Sequence, residues 1–145
     1  MANGITTRVD GGASKVDFAK LLLRLVLGLL MIAHGIGKAR GGIDAIVDMV
    51  VAHHMPAFVA YFVYIGEIVA PAFLIVGLFT RAAAVIVVIS MLFAVGLAHT
   101  GDLFSMSEGG GYALELQAFY LVTAIVVALL GAGRYSIGGR YGRWN

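Results

Sequence analysis

Four long apolar segments alternate with short polar segments along the chain. They cover about residues 16–36, 57–79, 82–98 and 112–131. A helix that crosses a bilayer needs about 20 mostly apolar residues, and each segment meets or approaches that length. The pattern therefore predicts an all-α membrane protein, a bundle of four transmembrane helices within residues 16–137.

The polar segment between the first two spans has a helical pattern of its own. Apolar residues recur at helical spacing from Ile43 to Val50, while Asp44 and Asp48 lie one turn apart on another face. This pattern predicts a short amphipathic helix at the membrane surface. An irregular loop is the alternative. The third span is apolar except for Ser90 and Gly96, so we expect it to face lipid or a protein partner.

Composition supports a lipid environment and excludes several chemistries. Hydrophobic residues make up 61% of the 145 residues and charged residues 12%, whereas soluble domains have about 25% charged residues. The net charge is only +2 and the basic residues flank the apolar segments, which excludes nucleic-acid binding. Because the chain has no cysteine, it cannot by itself form a disulfide or an iron–sulfur cluster.

Basic residues predict the orientation of the four spans. Two lie on one side, Lys38 and Arg40, and seven lie on the side that holds both termini: Arg8, Lys15, Lys20, Arg81, Arg134, Arg140 and Arg143. The positive-inside rule places both termini in the cytoplasm of a bacterial-type plasma membrane. Residues 1–15 form a mobile polar N-terminus in this prediction, and residues 138–145 form a cytoplasmic tail.

Two opposite charges lie inside predicted spans at similar depth. Arg24 is about 12 Å into the first span and Glu67 about 15 Å into the second, approached from the opposite side. Charges at such depth face the bundle interior and mark a partner or a site, so the sequence predicts an Arg24–Glu67 ion pair. Pro71 cannot donate to the Glu67 carbonyl, which predicts a kink there. The pair either binds a ligand or only fixes helix order.

Further polar residues lie towards the outer ends of the spans. His34 and Lys38 share one side of the first helix with Arg24, and Tyr112 and Glu115 open the last span. We expect Glu115 to meet His34 or His99.

The histidines allow three interpretations. His34 and His99 are candidates for axial haem ligands, and His53, His54 and His99 with Asp102 are candidates for a metal site. Adjacent His53 and His54 lack the usual ligand spacing. We therefore predict solvated histidines at the interface and no metal site.

Several motifs together resemble the DoxX family of small membrane proteins. These are LLRLVLG at residues 22–28, HGIGK at 34–38, Glu67 followed by GLFTRAA at 77–83, Glu115, and GAGRYSI at 131–137. The likeness covers about residues 18–138, although Gly138 stands where the family often has Asp. The resemblance implies a four-helix membrane protein and a link to thiosulfate:quinone or thiol-stress oxidoreductase complexes. The family positions matched are Arg24, His34, Lys38, Glu67, Arg81 and Glu115.

These observations predict a membrane subunit of a quinone-linked oxidoreductase. Arg24, Lys38 and Tyr112 would bind the quinone, and Glu67, Glu115 and His34 would transfer protons. No cofactor would be attached covalently, and a partner subunit would deliver the electrons. The alternatives are a non-catalytic anchoring subunit of a larger complex and a small transporter. Lipid, and either a partner subunit or further copies of the chain, would surround the bundle.

Overall fold

Five helices and a short 3₁₀ turn at Thr100–Asp102 make up the regular structure of the described residues. The computed structural model describes residues 7–107, 109–139, 142 and 144–145, with side chains from Lys15 onwards. Apart from one isolated bridge, between Met106 and Tyr112, these residues contain no β-structure. The predicted all-α class is thus confirmed. The helices are α1 (Thr7–Gly41), α2 (Asp44–Ala52), α3 (Ala57–Val76), α4 (Thr80–Ala98) and α5 (Glu115–Leu130).

The helices follow the predicted segments closely except α1, which is longer at both ends and continues to Gly41. Helix α1 begins at Thr7, well before the predicted start of the first span, so residues 7–15 are helical. The first six residues of the predicted mobile N-terminus lie outside the described part of the chain. The short helix predicted between the first two spans is present as α2, whereas its position at a membrane surface stays a prediction.

Helix α3 changes its winding around Pro71. It opens with a 3₁₀ turn at Ala57–Tyr61, passes through a π-helical turn at Ile65–Val69, and continues as an α-helix over Ala70–Val76. Pro71 lies in the first turn of that last part, where a missing N–H costs least. A π turn inserts an extra residue into the helix and commonly marks functional sites. Here it contains Glu67.

A compact loop closes the end of the bundle where α3 meets α4. Gly77 has a φ of +71°, a left-handed conformation that glycine adopts without strain. The backbone N–H groups of Ile137 and Gly138 donate to the carbonyls of Val76 and Gly77 at 3.1 and 2.9 Å. The segment after α5 therefore lies against this turn, and we call this end of the bundle the loop end.

The first turn of α4 is capped by the same segment. The side-chain oxygen of Asn145 accepts hydrogen bonds from the Thr80 N–H at 3.1 Å and the Thr80 hydroxyl at 2.8 Å. These bonds satisfy a backbone donor that a helix N-terminus otherwise leaves without a partner. The loop end is therefore fixed by hydrogen bonds as well as by packing.

Four helices pack in a ring, because α1 and α4 each contact both α3 and α5. Gly28 and Gly35 of α1 face Pro71 and Glu67 of α3, where a Cβ would lie 2.9 to 3.0 Å from a backbone oxygen. The order of these contacts shows that α1 and α3 are antiparallel. The two helices are also closely spaced, as small residues allow in membrane bundles. The core comprises Leu27, Met31, Ala70, Leu74, Ala83, Ala84, Val87, Met91, Tyr120, Ala124 and Val127.

The outer surface of the ring is apolar. Large side chains such as Ile89 and Leu129 are 60% and 74% exposed, and similar residues line the outside of every long helix. By length and composition, Ala57–Val76 and Thr80–Ala98 can cross a membrane, while the apolar α5 has 16 residues. Apolar surface this extensive is typical of contact with lipid or a partner.

Candidate functional site

A cavity of about 560 Å³ lies at the end of the bundle opposite the loop end. All five helices contribute to its wall, and most of the lining is aliphatic or aromatic, including Phe62, Ile89 and Leu97. A few polar side chains interrupt this wall: His34, Lys38, Glu67, Ser90, His99, Gln117 and Tyr120. An apolar cavity with a small number of polar groups is the usual form of a small-molecule site.

The charged group deepest in this cavity is Glu67. Its side chain is fully buried, and its Oε1 accepts a hydrogen bond from the Lys38 ammonium at 2.5 Å. The side chain of Lys38 is 30% exposed, so the pair extends from the cavity floor towards solvent. The other oxygen, Oε2, is buried and has no hydrogen-bond partner among the described residues.

The predicted ion pair between Arg24 and Glu67 is wrong, because Glu67 pairs with Lys38. Helical side chains lean towards the N-terminus of their helix. In the antiparallel α1 and α3, Arg24 therefore leans towards the loop end and Glu67 towards the cavity. Lys38 lies about 21 Å beyond Arg24 along α1 and leans back towards Glu67. The Cα atoms of Arg24 and Glu67 lie at similar depth, but their charged groups point in opposite directions along the bundle.

Arg24 instead fixes the loop end. Its side chain is fully buried, and its Nη2 donates to the carbonyl of Tyr135. A Cβ added to Gly77 would lie only 2.1 Å from Nη1, so the guanidinium is packed tightly against the turn. Its Nε and Nη1 lack partners among the residues that the structure describes. Arg24 is outside the cavity lining, and this geometry indicates a structural role.

Tyr112 and Glu115, the two predicted site residues at the start of the last span, also lie outside the cavity lining. The hydroxyl of Tyr112 donates to the carbonyl of Leu103 at 2.8 Å, which fixes the loop before α5. Glu115 is exposed and lies beside Gly111. It makes no hydrogen bond to His34 or His99, all three being described residues, so that expected contact is not formed.

The outer histidines do not gather around one point. Nδ1 of His99 lies 3.1 Å from Asp102 Oδ2, and its Nε2 lies 3.5 Å from Gln117 Nε2. His53 contacts the carbonyl of Met49, while His34 is exposed at the cavity wall. Among the described side chains, no group of three or more His, Cys, Asp or Glu residues is placed to hold a metal ion.

Three lining residues were missed by the sequence analysis: Ser90, Gln117 and Tyr120. Ser90 interrupts an apolar segment, which is a signal for an inward-facing polar group, yet we expected that helix to face lipid or a partner. Gln117 and Tyr120 lie three residues apart on one side of α5. That spacing does not reveal which neighbouring helix they face, because their neighbours are distant in sequence.

The contact between Gly66 and Ser90 determines how closely α3 approaches α4 at the cavity. A Cβ at Gly66 would lie 2.2 Å from Ser90 Oγ and 2.4 Å from its Cβ. We therefore expect Gly66→Ala to lower the free energy of unfolding by about 1–3 kcal/mol through overpacking. In a Ser90→Gly background the same substitution should cost much less, since the next atom is Ser90 Cα at 3.7 Å.

Detergent-solubilised thermal melts of the two single variants and the double variant measure this compensation. Ser90→Gly alone serves as the matched control for the cost of glycine in a helix, about 1 kcal/mol. If Gly66→Ala costs as much in the Ser90→Gly background as in the wild type, the two helices do not meet at this point.

The fold and site define a class of protein, an all-helical membrane protein with a buried charged pair beside an apolar cavity. The family model for DoxX matches residues 19–100, more than half of the chain, and so the chain belongs to the DoxX family. The match extends from α1 to just beyond α4 and confirms the resemblance to the family, while the motifs at Glu115 and residues 131–137 lie outside it. Searches of curated proteins and of solved structures returned no match.

Proposed function

We propose that this DoxX-family protein is a membrane subunit of a quinone-linked oxidoreductase complex and binds the quinone head group in the cavity. The observation that supports this proposal is the charged Lys38–Glu67 pair at the floor of an apolar cavity. The cavity volume of about 560 Å³ falls within the range of about 300–1,000 Å³ that small-molecule sites have.

In this proposal α1, α3, α4 and α5 each cross the plasma membrane. Helix α5 has 16 residues and spans about 24 Å, and its flanking residues supply the remaining length. Lys20, Arg81 and Arg134 all belong to the loop end, so the positive-inside rule places that end in the cytoplasm. The cavity then opens towards the outer half of the bilayer, where an apolar ligand can enter from lipid.

The polar groups of the cavity match what quinone chemistry requires. Quinone carbonyls accept hydrogen bonds, which Lys38, Ser90, Gln117 and Tyr120 are able to donate. Reduction to the quinol takes two electrons and two protons, and Glu67 and His34 are groups that can transfer protons. Because the chain has no cysteine, we propose that a redox partner protein supplies the electrons.

Cavity-filling substitutions test this proposal. Ala94 lines the cavity, so Ala94→Trp should block it without altering a polar group. Leu92 is an exposed apolar residue of the same helix, which makes Leu92→Trp the matched control. After gentle purification from native membranes and solvent extraction, mass spectrometry should find quinone at about one per chain in the wild type and the control. Ala94→Trp should retain much less.

A non-catalytic anchoring subunit is the second candidate, favoured by the exposed apolar faces of the helices. Partner subunits that co-purify with the wild-type protein in the absence of any bound quinone would support it and contradict the first proposal. Equal quinone retention by Ala94→Trp and Leu92→Trp would contradict the assignment of the cavity.

A further inference from the structure

The buried Oε2 of Glu67 is a hydrogen-bond acceptor without a donor in the described part of the molecule. Leaving such an atom buried without a partner is unfavourable, since it has lost its hydrogen bonds to water and gained none in return. Glu67 belongs to the cavity lining, so a ligand hydroxyl that reaches this oxygen and donates a hydrogen bond to it relieves this cost. A ligand that only accepts hydrogen bonds cannot relieve it.

The two redox forms of a quinone differ in this respect. The oxidised form has carbonyl oxygens, which only accept, whereas the reduced form has hydroxyl groups, which donate as well as accept. A carbonyl oxygen beside Oε2 would set two partial negative charges against each other in an apolar environment, where such repulsion is strong. A hydroxyl at the same place would form a hydrogen bond to a charged acceptor, which is the stronger kind.

A cationic donor such as an alkylammonium group fits less well. Glu67 is already neutralised by Lys38 at 2.5 Å, so a second cation would bring an uncompensated charge into an apolar cavity. Asp102 lies 3.1 Å from Nδ1 of the lining residue His99 and is not itself a lining residue. A neutral hydroxyl donor is therefore the ligand group that the cavity floor favours.

We infer that the cavity binds the reduced, hydroxyl-bearing form of its quinone ligand more tightly than the oxidised form. This inference rests on the proposed function and makes Glu67 the residue that distinguishes the two forms. A hydrogen bond to a charged group contributes about 1.5–3 kcal/mol, so the quinol should bind at least about tenfold more tightly.

The test measures the affinity of both forms for the purified full-length protein in lipid nanodiscs under anaerobic conditions. The probes are decylubiquinone and its dithionite-reduced quinol, titrated by calorimetry. In the wild type we expect the quinol to bind at least about tenfold more tightly. In Glu67→Gln the amide places an N–H₂ donor where an acceptor stood, so the oxidised form should bind at least as tightly as the quinol.

Asp44→Asn is the matched control, because it removes an exposed carboxylate outside the cavity lining, and it should keep the wild-type ratio. Equal wild-type affinities for the two forms would overturn this inference and leave the proposed function standing. Binding of neither form by folded wild-type protein would overturn the proposed function as well. The wild-type ratio decides the inference even if Glu67→Gln fails to fold.

Discussion

Lys38→Met should lower the free energy of unfolding by about 3 kcal/mol, because it leaves Glu67 buried without its charged partner. Removing the other partner of the pair, by Glu67→Leu, should lower the free energy of unfolding by less. Lys38 is 30% exposed, so its ammonium can turn towards water while its methylene chain keeps its apolar contacts. The double variant Lys38→Met/Glu67→Leu should return close to wild-type stability, since replacing both partners of a buried pair by apolar residues is often neutral.

A double-mutant cycle measures this coupling in detergent-solubilised protein. We expect a Lys38–Glu67 coupling above about 2 kcal/mol. A parallel cycle with Arg24→Met and Glu67→Leu provides the matched comparison. The coupling energy between these two residues should be within about 0.5 kcal/mol of zero. The opposite result, strong coupling to Arg24 and weak coupling to Lys38, would reinstate the ion pair that the sequence alone predicted.

Gly77→Ala should also be strongly destabilising, by about 2–5 kcal/mol, because two costs add at this position. An L residue with a φ of +71° costs about 1–2 kcal/mol. The new Cβ would also lie 2.1 Å from Arg24 Nη1 and 2.6 Å from Ser136 Cβ, which adds an overpacking cost of about 1–3 kcal/mol. Arg24 would have to leave its position beside the turn.

Gly96→Ala is the matched control for that substitution. Gly96 lies in α4 and a Cβ there meets nothing within 4 Å, so alanine should be neutral or stabilise the helix by up to about 1 kcal/mol. Thermal melts of the two variants, with membrane yield as a second readout, compare them directly. Equal stability of the two variants would contradict the packing of Arg24 against the α3–α4 turn.

Much of the fold was predictable from local pattern. The lengths and spacing of the apolar segments located α3, α4 and α5, and the alternation of Ile43 to Val50 with two aspartates located α2. These features depend on residues close together in sequence. Pro71 also gave a local signal, and the structure has a π-helical turn at Ile65–Val69 just before it, whereas the predicted kink stays a prediction.

The site was less predictable because it depends on which way long side chains lean. Depth along each span placed the Cα atoms of Arg24 and Glu67 together, but the tilt of side chains in antiparallel helices separates their charged ends. The same rule, applied to Lys38 at the end of α1, would have favoured the observed pair. The contributions of Ser90 and Tyr120 depend on the rotation of α4 and α5, which no local pattern determines.

Photolabelling in native membranes tests most directly whether the cavity is a quinone site. An azido-substituted quinone is irradiated with and without excess decylubiquinone, and labelled peptides are mapped by mass spectrometry. We predict competitor-sensitive labels on the cavity side of α3 and α4, near Phe62, Gly66 and Ala94. Labels confined to the loop end around Arg24 and Tyr135, or spread over the exposed apolar faces and insensitive to competitor, would contradict a quinone site in the cavity.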